Sequence, residues 1–277
     1  MISDITFGQF VDTNSFIHKL DSRTKLLGLI AYIILLFVAG NFYSLGILSI
    51  FLLFIIFSSK IPLSMYLKNI KAILPIIILT AVLNLFYTSS GKILINWWIF
   101  TITTEGIYKV IYMSFRIVLL ILSSAVLSYT TSPTSLTGAI ESLLSPLKYI
   151  GLKNAVHTMA MTMTIALRFI PTLIEETQRI INAQKARGAN FESRNLIKKV
   201  KALIPILIPL LVSSVRRAYE LAEAMECRCY SGGTGRTKFR IMRFGTRDLV
   251  SLFVFVIITL AVILFNIFNT MLNSLFI

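Results

Sequence analysis

The chain has 277 residues, of which 56% are hydrophobic and 14% are charged. This composition excludes a soluble globular domain, because several apolar runs approach the roughly 20 residues that cross a bilayer as a helix. The formal charge of +15 does not indicate nucleic-acid binding, since the basic residues cluster in particular loops where orientation in a lipid bilayer explains them.

Five apolar runs are predicted to cross the membrane as helices. They cover about residues 24–40, 42–58, 70–88, 107–129 and 249–277. Gly40 and Asn41 predict a tight turn between the first two runs, and the tryptophan-containing segment 91–105 is expected to be a loop at the membrane interface. Arg116 lies inside the fourth run. A partner group, a snorkelling path or a functional charge within the membrane would each explain it.

The basic residues also predict the orientation of the chain. Residues 131–247 carry 18 Lys and Arg against 7 Asp and Glu, and no basic residue follows Arg247. Under the positive-inside rule, this favours a cytoplasmic N-terminus, five spans and an outside C-terminus. We therefore expect a membrane domain with the first four spans at 1–130, a cytoplasmic coupling region at 131–247 and a final transmembrane helix at 248–277.

The coupling region contains one apolar window, residues 202–215, which is short for a membrane span. A helix of this length reaches roughly 21 Å, whereas the hydrocarbon core is roughly 30 Å thick, and Pro205 and Pro209 would weaken a lone span. We expect about three helices at or below the cytoplasmic face, over about 132–149, 154–187 and 199–229. An additional membrane hairpin is the alternative.

Small and flexible side chains in this region predict contact surfaces. Rows of small residues let helices approach closely, so the second and third helices are expected to cross. The rows are Thr158, Thr162 and Ala166 in one helix and Ser214, Ala218 and Ala222 in the other. Met159 and Met163 share a face near Ala166 and are suited to receiving a partner, with ordinary core filling as the alternative.

The second and third helices are each predicted to end at an arginine tripeptide. These are Ala186-Arg187-Gly188 and Cys227-Arg228-Cys229. Gly188 is placed to end its helix in the left-handed conformation. The arginine side chain is a planar, always charged fork that can pair with a carboxylate on a soluble partner. Alternatively, each arginine only snorkels or caps its own helix.

No pattern in the sequence indicates catalysis. The glycine-rich segment 232–238 lacks the Gly-Lys-Ser/Thr ending of a phosphate-binding loop. Cys227 and Cys229 have no nearby histidine to complete a metal site. We expect a protein that is not an enzyme by itself and that has no cofactor and no metal site.

Several segments, taken together and in order, resemble the transmembrane T component of energy-coupling factor (ECF) transporters. They are Phe7-Gly8-Gln9-Phe10, the segment from Ser15 to Lys25, Thr130-Thr131-Ser132-Pro133, the segment from Leu167 to Leu173, and Gln184-Lys185-Ala186-Arg187-Gly188. The resemblance implies an all-α scaffold in the cell membrane. Its partners would be the lipid bilayer, two cytoplasmic ABC-type ATPases and a small membrane-embedded substrate-binding S component.

The resemblance also implies the function of the complex, which is ATP-driven uptake of a micronutrient, either a vitamin or a metal ion. The two arginine motifs would dock on the two ATPases, and Met159, Met163 and Ala166 are candidates for contact with the S component. Cysteines flank Arg228 where the family usually has Ala-Arg-Gly, which puts in doubt the backbone geometry that a glycine would permit. A self-contained secondary transporter or a membrane signalling scaffold is the alternative.

Overall fold

A computed structural model of the chain describes residues 10–87, 93–97, 100–146, 153–189, 196–230 and 244–275. This part of the chain contains eight α-helices and one two-stranded antiparallel hairpin. The elements are α1 (Ser22–Val38), α2 (Phe42–Ser59), α3 (Leu63–Tyr87), β1 (Ile93–Trp97), β2 (Phe100–Thr103), α4 (Thr104–Thr130), α5 (Pro133–Leu143), α6 (Lys153–Ala186), α7 (Leu196–Glu226) and α8 (Thr246–Leu275).

The prediction of an all-helical membrane protein is confirmed. Five helical segments in the described part of the chain are long and apolar enough to cross a membrane: Phe42–Ser59, Leu63–Leu85, Thr104–Thr130, Lys201–Glu226 and Thr246–Phe268. The set differs from the predicted one in two places. α1, with 17 residues, is shorter than these segments. The segment Lys201–Glu226 of α7, which the sequence places in the coupling region, is long and apolar enough to belong to the set.

The chain forms two compact units. Of the described residues, 10–136 and 244–275 form the first, which we call the bundle unit, and those between 137 and 230 form the second, the helix-pair unit. The bundle unit contains α1 to α4 and α8, and the helix-pair unit contains α6 and α7. The boundary falls inside α5, at residue 137.

Hydrogen bonds at both ends of the bundle unit fix the directions of its helices. At one end, the backbone N–H of Asp21 donates to Asp248 Oδ1 (2.9 Å), and Lys25 Nζ donates to the carbonyl of Thr130 (2.8 Å). At the other end, Asn266 Nδ2 donates to the carbonyl of Val38 (2.8 Å). α1 and α8 therefore run parallel, and α4 runs antiparallel to α1. We call the first of these ends the clasp end.

The core of the bundle unit is built from leucine and tyrosine side chains. Leu36, Leu45, Leu48 and Val262 have no exposed surface, and Tyr66 and Tyr129 pack edge to face with ring centroids 5.3 Å apart. Because lipid tails are as apolar as leucine, burial from water does not drive such a core inside a membrane. Close packing and internal hydrogen bonds stabilise it instead.

Two elements differ from the sequence-based expectation. α5 ends at Leu143, not near Tyr149, because Pro146 has no N–H to donate and disfavours helical geometry in the residue before it. The remainder of the expected helix, residues 147–149, lies outside the described residues. The expected loop at 91–105 contains the hairpin, in which Trp97 pairs with Phe100, and α4 then begins at Thr104.

Candidate docking site at the ends of α6 and α7

The two arginine motifs form the same backbone cap. After α6, the N–H of Ala189 donates to the carbonyl of Gln184 (3.0 Å) and that of Gly188 to Lys185 (3.0 Å). After α7, the N–H of Tyr230 donates to Met225 (3.0 Å) and that of Cys229 to Glu226 (2.8 Å). This pair of bonds defines a Schellman cap, in which Arg187 and Arg228 occupy the same position, one residue before the left-handed residue.

The left-handed residue differs between the two caps. Gly188 has φ of +86° and Cys229 has φ of +55°. The left-handed conformation costs glycine almost nothing, whereas it costs a residue with a Cβ about 1 kcal/mol or more. The cysteine therefore adopts the geometry that a glycine would permit, at some cost in local stability. The backbone geometry that the sequence put in doubt after Arg228 is therefore present.

Both motifs lie on the surface. Ala186, Arg187, Gly188, Cys227, Arg228 and Cys229 are all exposed. Within the described residues, neither arginine side chain makes a hydrogen bond or an ion pair. Each helix therefore ends in an exposed guanidinium on a rigid cap, which is suited to a carboxylate or a carbonyl-lined groove on a partner.

α6 and α7 pack against each other in antiparallel directions. Three contacts run along the pair, from Gln184 Nε2 with the Pro205 carbonyl (3.5 Å), through Glu176 Oε2 with Arg217 Nη2 (2.6 Å), to Met161 Sδ with the Tyr230 hydroxyl (3.1 Å). The Glu176–Arg217 ion pair is partly exposed, so its net contribution is that of a surface pair, up to about 1 kcal/mol. Its main effect is to fix the register of the two helices.

The antiparallel packing places the two motifs at opposite ends of the helix pair. Tyr230, two residues beyond Arg228, contacts Met161, which lies 26 positions before Arg187 in α6. At 1.5 Å per residue, the two arginines are roughly 40 Å apart along the pair. Two separate partner molecules, one at each end, fit this spacing better than a single small one.

The small-residue rows do not meet as the crossing predicted. Pro205 and Arg217 of α7 contact Gln184 and Glu176 of α6, so Ser214, which lies between them in the sequence, is opposite the segment 176–184. Thr158 and Thr162 lie near the other end of the pair, beside Met161, which contacts Tyr230. Of the six row members, all but Ser214 are exposed, namely Thr158, Thr162, Ala166, Ala218 and Ala222. The contacts between α6 and α7 described above are made by other residues.

Apolar side chains cover much of the exposed surface of the helix-pair unit. On α6, Met159 and Met163 are 54% and 40% exposed, and Ala166 is exposed beside them, so core filling does not explain the two methionines. On α7, exposed apolar side chains follow one another through the predicted apolar window. They are Leu203, Ile204, Leu207, Ile208, Leu211, Val212 and Val215. A surface of this kind is typical of contact with lipid or with another subunit.

Asp248 joins the beginning of α8 to the beginning of α1, although its partner Asp21 lies 227 positions earlier in the sequence. Its Oδ1 accepts the N–H of Asp21, the N-cap of α1, and its Oδ2 accepts the N–H of Gly245 before α8 (2.8 Å). Asp21 Oδ1 in turn accepts the N–H of Arg23 (2.9 Å). Asp248 is only 6% exposed. The sequence analysis did not identify this carboxylate. The only local pattern that indicates a capping role is its position three residues after Gly245, at the start of a helix.

His18 holds the segment before α1 at the clasp end. Its ring nitrogens lie 2.7 Å from Ser15 Oγ and 2.8 Å from the Val11 carbonyl, and its own carbonyl accepts Lys25 Nζ (3.3 Å). Burial lowers the pKa of His18 below its usual 6.5, because desolvation disfavours the charged ring. The N–H of Val11 also donates to the carbonyl of Tyr129 in α4 (3.0 Å), so the segment 11–18 links α1 to α4.

Arg116 finds its partners inside the bundle unit. Its Nη2 donates to the Ala39 carbonyl (2.8 Å) and to the Tyr112 hydroxyl (2.7 Å), and its guanidinium lies 5.6 Å from the centre of the Phe37 ring. Ala39 is the C-cap of α1. A positive charge at the negative end of a helix is favourable, so Arg116 joins α4 to the end of α1. Of the explanations for this residue, partner groups within the protein account for it best.

The fold and the two caps define a class of protein: a multi-pass helical membrane protein with a pair of long helices whose exposed ends carry matching arginines. The family model of CbiQ, described as cobalt transport protein, matches residues 13–239. The chain belongs to this family.

Relatives with a common name support the same assignment. Each is named "Energy-coupling factor transporter transmembrane protein EcfT". The protein from Acidaminococcus fermentans is 49% identical over 262 residues, covering 93% of this chain and 97% of the relative. Those from Ruminiclostridium cellulolyticum and Clostridium kluyveri are both 47% identical and cover 90% and 91% of this chain, and 92% and 93% of the relatives. The resemblance to the T component of ECF transporters is confirmed.

Proposed function

We propose that this chain is the membrane scaffold that couples two ABC-type ATPases to a substrate-binding S component in an ATP-driven uptake transporter. Arg187 and Arg228 each dock on one ATPase, and the chain itself hydrolyses nothing. The substrate is a micronutrient, a vitamin or a metal ion, held by the S component. The observation that carries the proposal is the identical cap around two exposed arginines at opposite ends of one helix pair.

The helix pair is suited to transmitting a movement between its ends. α6 and α7 have 34 and 31 residues, and both remain continuous through internal prolines. Their register is fixed at three places along the pair. If ATP binding brings the two ATPases closer, arginines held on rigid caps pass that displacement into the helices, which tilt or turn against each other as rigid rods.

The bundle unit supports a placement of the whole coupling region on one side of the membrane. α4 ends at Thr130 and α8 begins just after Gly245, and both points lie beside the first turn of α1 at the clasp end. Between these points the chain must cross the membrane an even number of times. Because α6 carries five charged residues between Arg168 and Lys185, it is poorly suited to pair with α7 as a second span. The simpler solution is that the coupling region does not cross the membrane.

The exposed apolar face supports the contact with the S component. Met159 and Met163 lie beside exposed Ala166 on α6, and α7 adds the exposed apolar side chains of its window. A membrane-embedded partner offers an apolar surface to match. Methionine side chains adapt their shape, which suits a surface that receives more than one partner.

The docking of the ATPases is tested by Arg187→Ala combined with Arg228→Ala. The variant is expected to reach the membrane in normal amount, because both side chains are exposed and make no hydrogen bond or ion pair within the described residues. It is expected to lose most of the co-purified ATPase and at least about tenfold in ATP-driven uptake, since removing a charged anchor from an interface typically costs several kcal/mol.

The matched control is the replacement of both arginines by lysine. Lysine keeps the charge but loses the planar fork, so the lysine variant should fall between the wild type and the alanine variant. Unchanged uptake and unchanged ATPase recovery in the alanine variant would contradict the docking assignment.

A further inference from the structure

The only two cysteines of the chain flank one of the two docking arginines. Cys227 and Cys229 are both free and exposed, and Arg228 lies between them. The backbone hydrogen bonds of the cap hold all three residues in place. Ala186 and Gly188, at the same positions around Arg187, carry no reactive group. The two ends of the helix pair therefore share one backbone geometry and differ in their chemistry.

We propose that Cys227 and Cys229 form a thiol-exchange site, at which an anionic low-molecular-weight disulfide reversibly blocks docking at Arg228. This inference rests on the proposed function, because it assumes that Arg228 docks on an ATPase. In a reducing compartment such a site is free most of the time, and a rise in the ratio of disulfide to thiol modifies it. Uptake would then fall under oxidising conditions.

The chemistry needs no catalyst beyond the exposed thiol. The thiol loses its proton, and the thiolate sulfur attacks one sulfur of the small disulfide. A new S–S bond forms while the old one breaks. The other half leaves as a thiolate and takes up a proton, so the cysteine sulfur is oxidised and the small disulfide is reduced.

A mixed disulfide is the product that the geometry favours. Cys227 and Cys229 are two positions apart in a cap that holds Cys229 in the left-handed conformation, so closing a bond between them requires the cap to rearrange. The hydrogen bonds from Cys229 and Tyr230 back to α7 would oppose the rearrangement that such a bond requires.

The mixed disulfide acts on docking through charge and size. An adduct with carboxylates stands beside Arg228 and offers the guanidinium a competing partner on its own surface. It also fills the space into which the partner groove must fit. Arg187 has no such neighbour, so the two docking ends respond differently to the same reagent.

The test uses full-length protein in detergent with the purified ATPases and with oxidised glutathione as the probe. In an Arg187→Ala background, only the Arg228 end is left to hold an ATPase. Oxidised glutathione should add to the cysteines, as measured by intact mass, and should reduce ATPase retention about tenfold or more. Treatment with dithiothreitol should restore it. In an Arg228→Ala background, retention should not respond to the oxidant.

Further variants and probes separate the causes. Cys227→Ser with Cys229→Ser, in the Arg187→Ala background, should lose the response to the oxidant when compared with its own reduced sample. The uncharged 2-hydroxyethyl disulfide should block less than oxidised glutathione. If the glutathione adduct forms and retention stays the same, or if an internal disulfide forms without an adduct, the thiol-exchange inference is overturned. If the reduced Arg187→Ala and Arg228→Ala double variant keeps its ATPases, the proposed function fails instead.

Discussion

The residue after each arginine decides how firmly its cap is held. Gly188 and Cys229 occupy the same left-handed position, yet only the cysteine carries a Cβ. An added Cβ at Gly188 would meet nothing within 4 Å, so the effect of a substitution there is conformational and not steric. A single substitution at either position can therefore make the two caps alike, and both substitutions together would exchange their strengths.

We predict opposite effects of Gly188→Ala and Cys229→Gly. The first should weaken its cap by about 1 kcal/mol, and the second should strengthen its cap by a similar amount. Hydrogen exchange at the capping N–H groups of Ala189 and Tyr230 measures this. We expect about fivefold faster exchange at Ala189 in the first variant and about fivefold slower exchange at Tyr230 in the second. Each variant serves as the control for the other, and parallel changes at both ends would contradict the interpretation.

The cap after α6 could be predicted from its residue type, whereas the cap after α7 could not. Gly188 after a helical run is a common C-terminal signal, so the end of α6 follows from the sequence. Cys229 is a residue that seldom has positive φ, and no local pattern predicts the same geometry there. Asp248 was missed for a different reason. Its partner, the N–H of Asp21, is distant in the sequence, and single-sequence patterns carry no information about such pairs.

At the scale of elements, the helices themselves were predictable from apolar runs, and so was the beginning of α2 at Phe42, but the beginnings of α3 and α4 were not. α3 begins at Leu63 and α4 at Thr104, before the apolar runs that predicted them. In α4 the reason is the N-cap, since Thr103 Oγ1 accepts the N–H of Gly106 (3.1 Å) and adds a polar first turn. The register of α6 and α7 also could not be predicted, because small residues occur in rows on exposed faces as well as at contacts.

Asp248 connects two elements, and its loss should loosen both. In Asp248→Asn, the amide has one oxygen to accept a hydrogen bond, so either the N–H of Asp21 or that of Gly245 is left without its partner. Gly245 is exposed and Asp21 is only partly buried, so water replaces part of the lost hydrogen bond and its loss costs about 1 kcal/mol. The lost charge also weakens the remaining bond. We predict a lower midpoint of thermal unfolding in detergent for this variant.

The matched control for this prediction is Asp21→Asn. Asp21 accepts one N–H as an N-cap, and asparagine fills that position as well as aspartate does. The control should unfold close to the wild-type temperature. If the two variants lose stability equally, the negative charge at the clasp end stabilises the protein, and the hydrogen bonds by which Asp248 joins α1 to α8 do not.

At the scale of the whole molecule, the function proposed for the two motifs requires that α7 does not cross the membrane. By length and composition it is able to, since the segment Lys201–Glu226 qualifies as a span. The docking that we propose for both motifs argues against it. They lie roughly 40 Å apart along an antiparallel pair, a distance that exceeds the roughly 30 Å hydrocarbon core. A pair standing upright in the membrane would therefore place Arg187 and Arg228 on opposite sides, where cytoplasmic partners cannot bind both.

We predict that both motifs react from the cytoplasmic side with a membrane-impermeant maleimide. The native cysteines report on the second motif directly, and Ala189→Cys in a Cys227→Ser, Cys229→Ser background reports on the first. Tyr43→Cys in the same background is the matched control. Tyr43 is 73% exposed near the end of the bundle opposite the clasp end, and it should react only from outside. If Ala189→Cys and the native cysteines react from opposite sides, the chain crosses the membrane between them. Coupling through both arginines to cytoplasmic ATPases is then impossible.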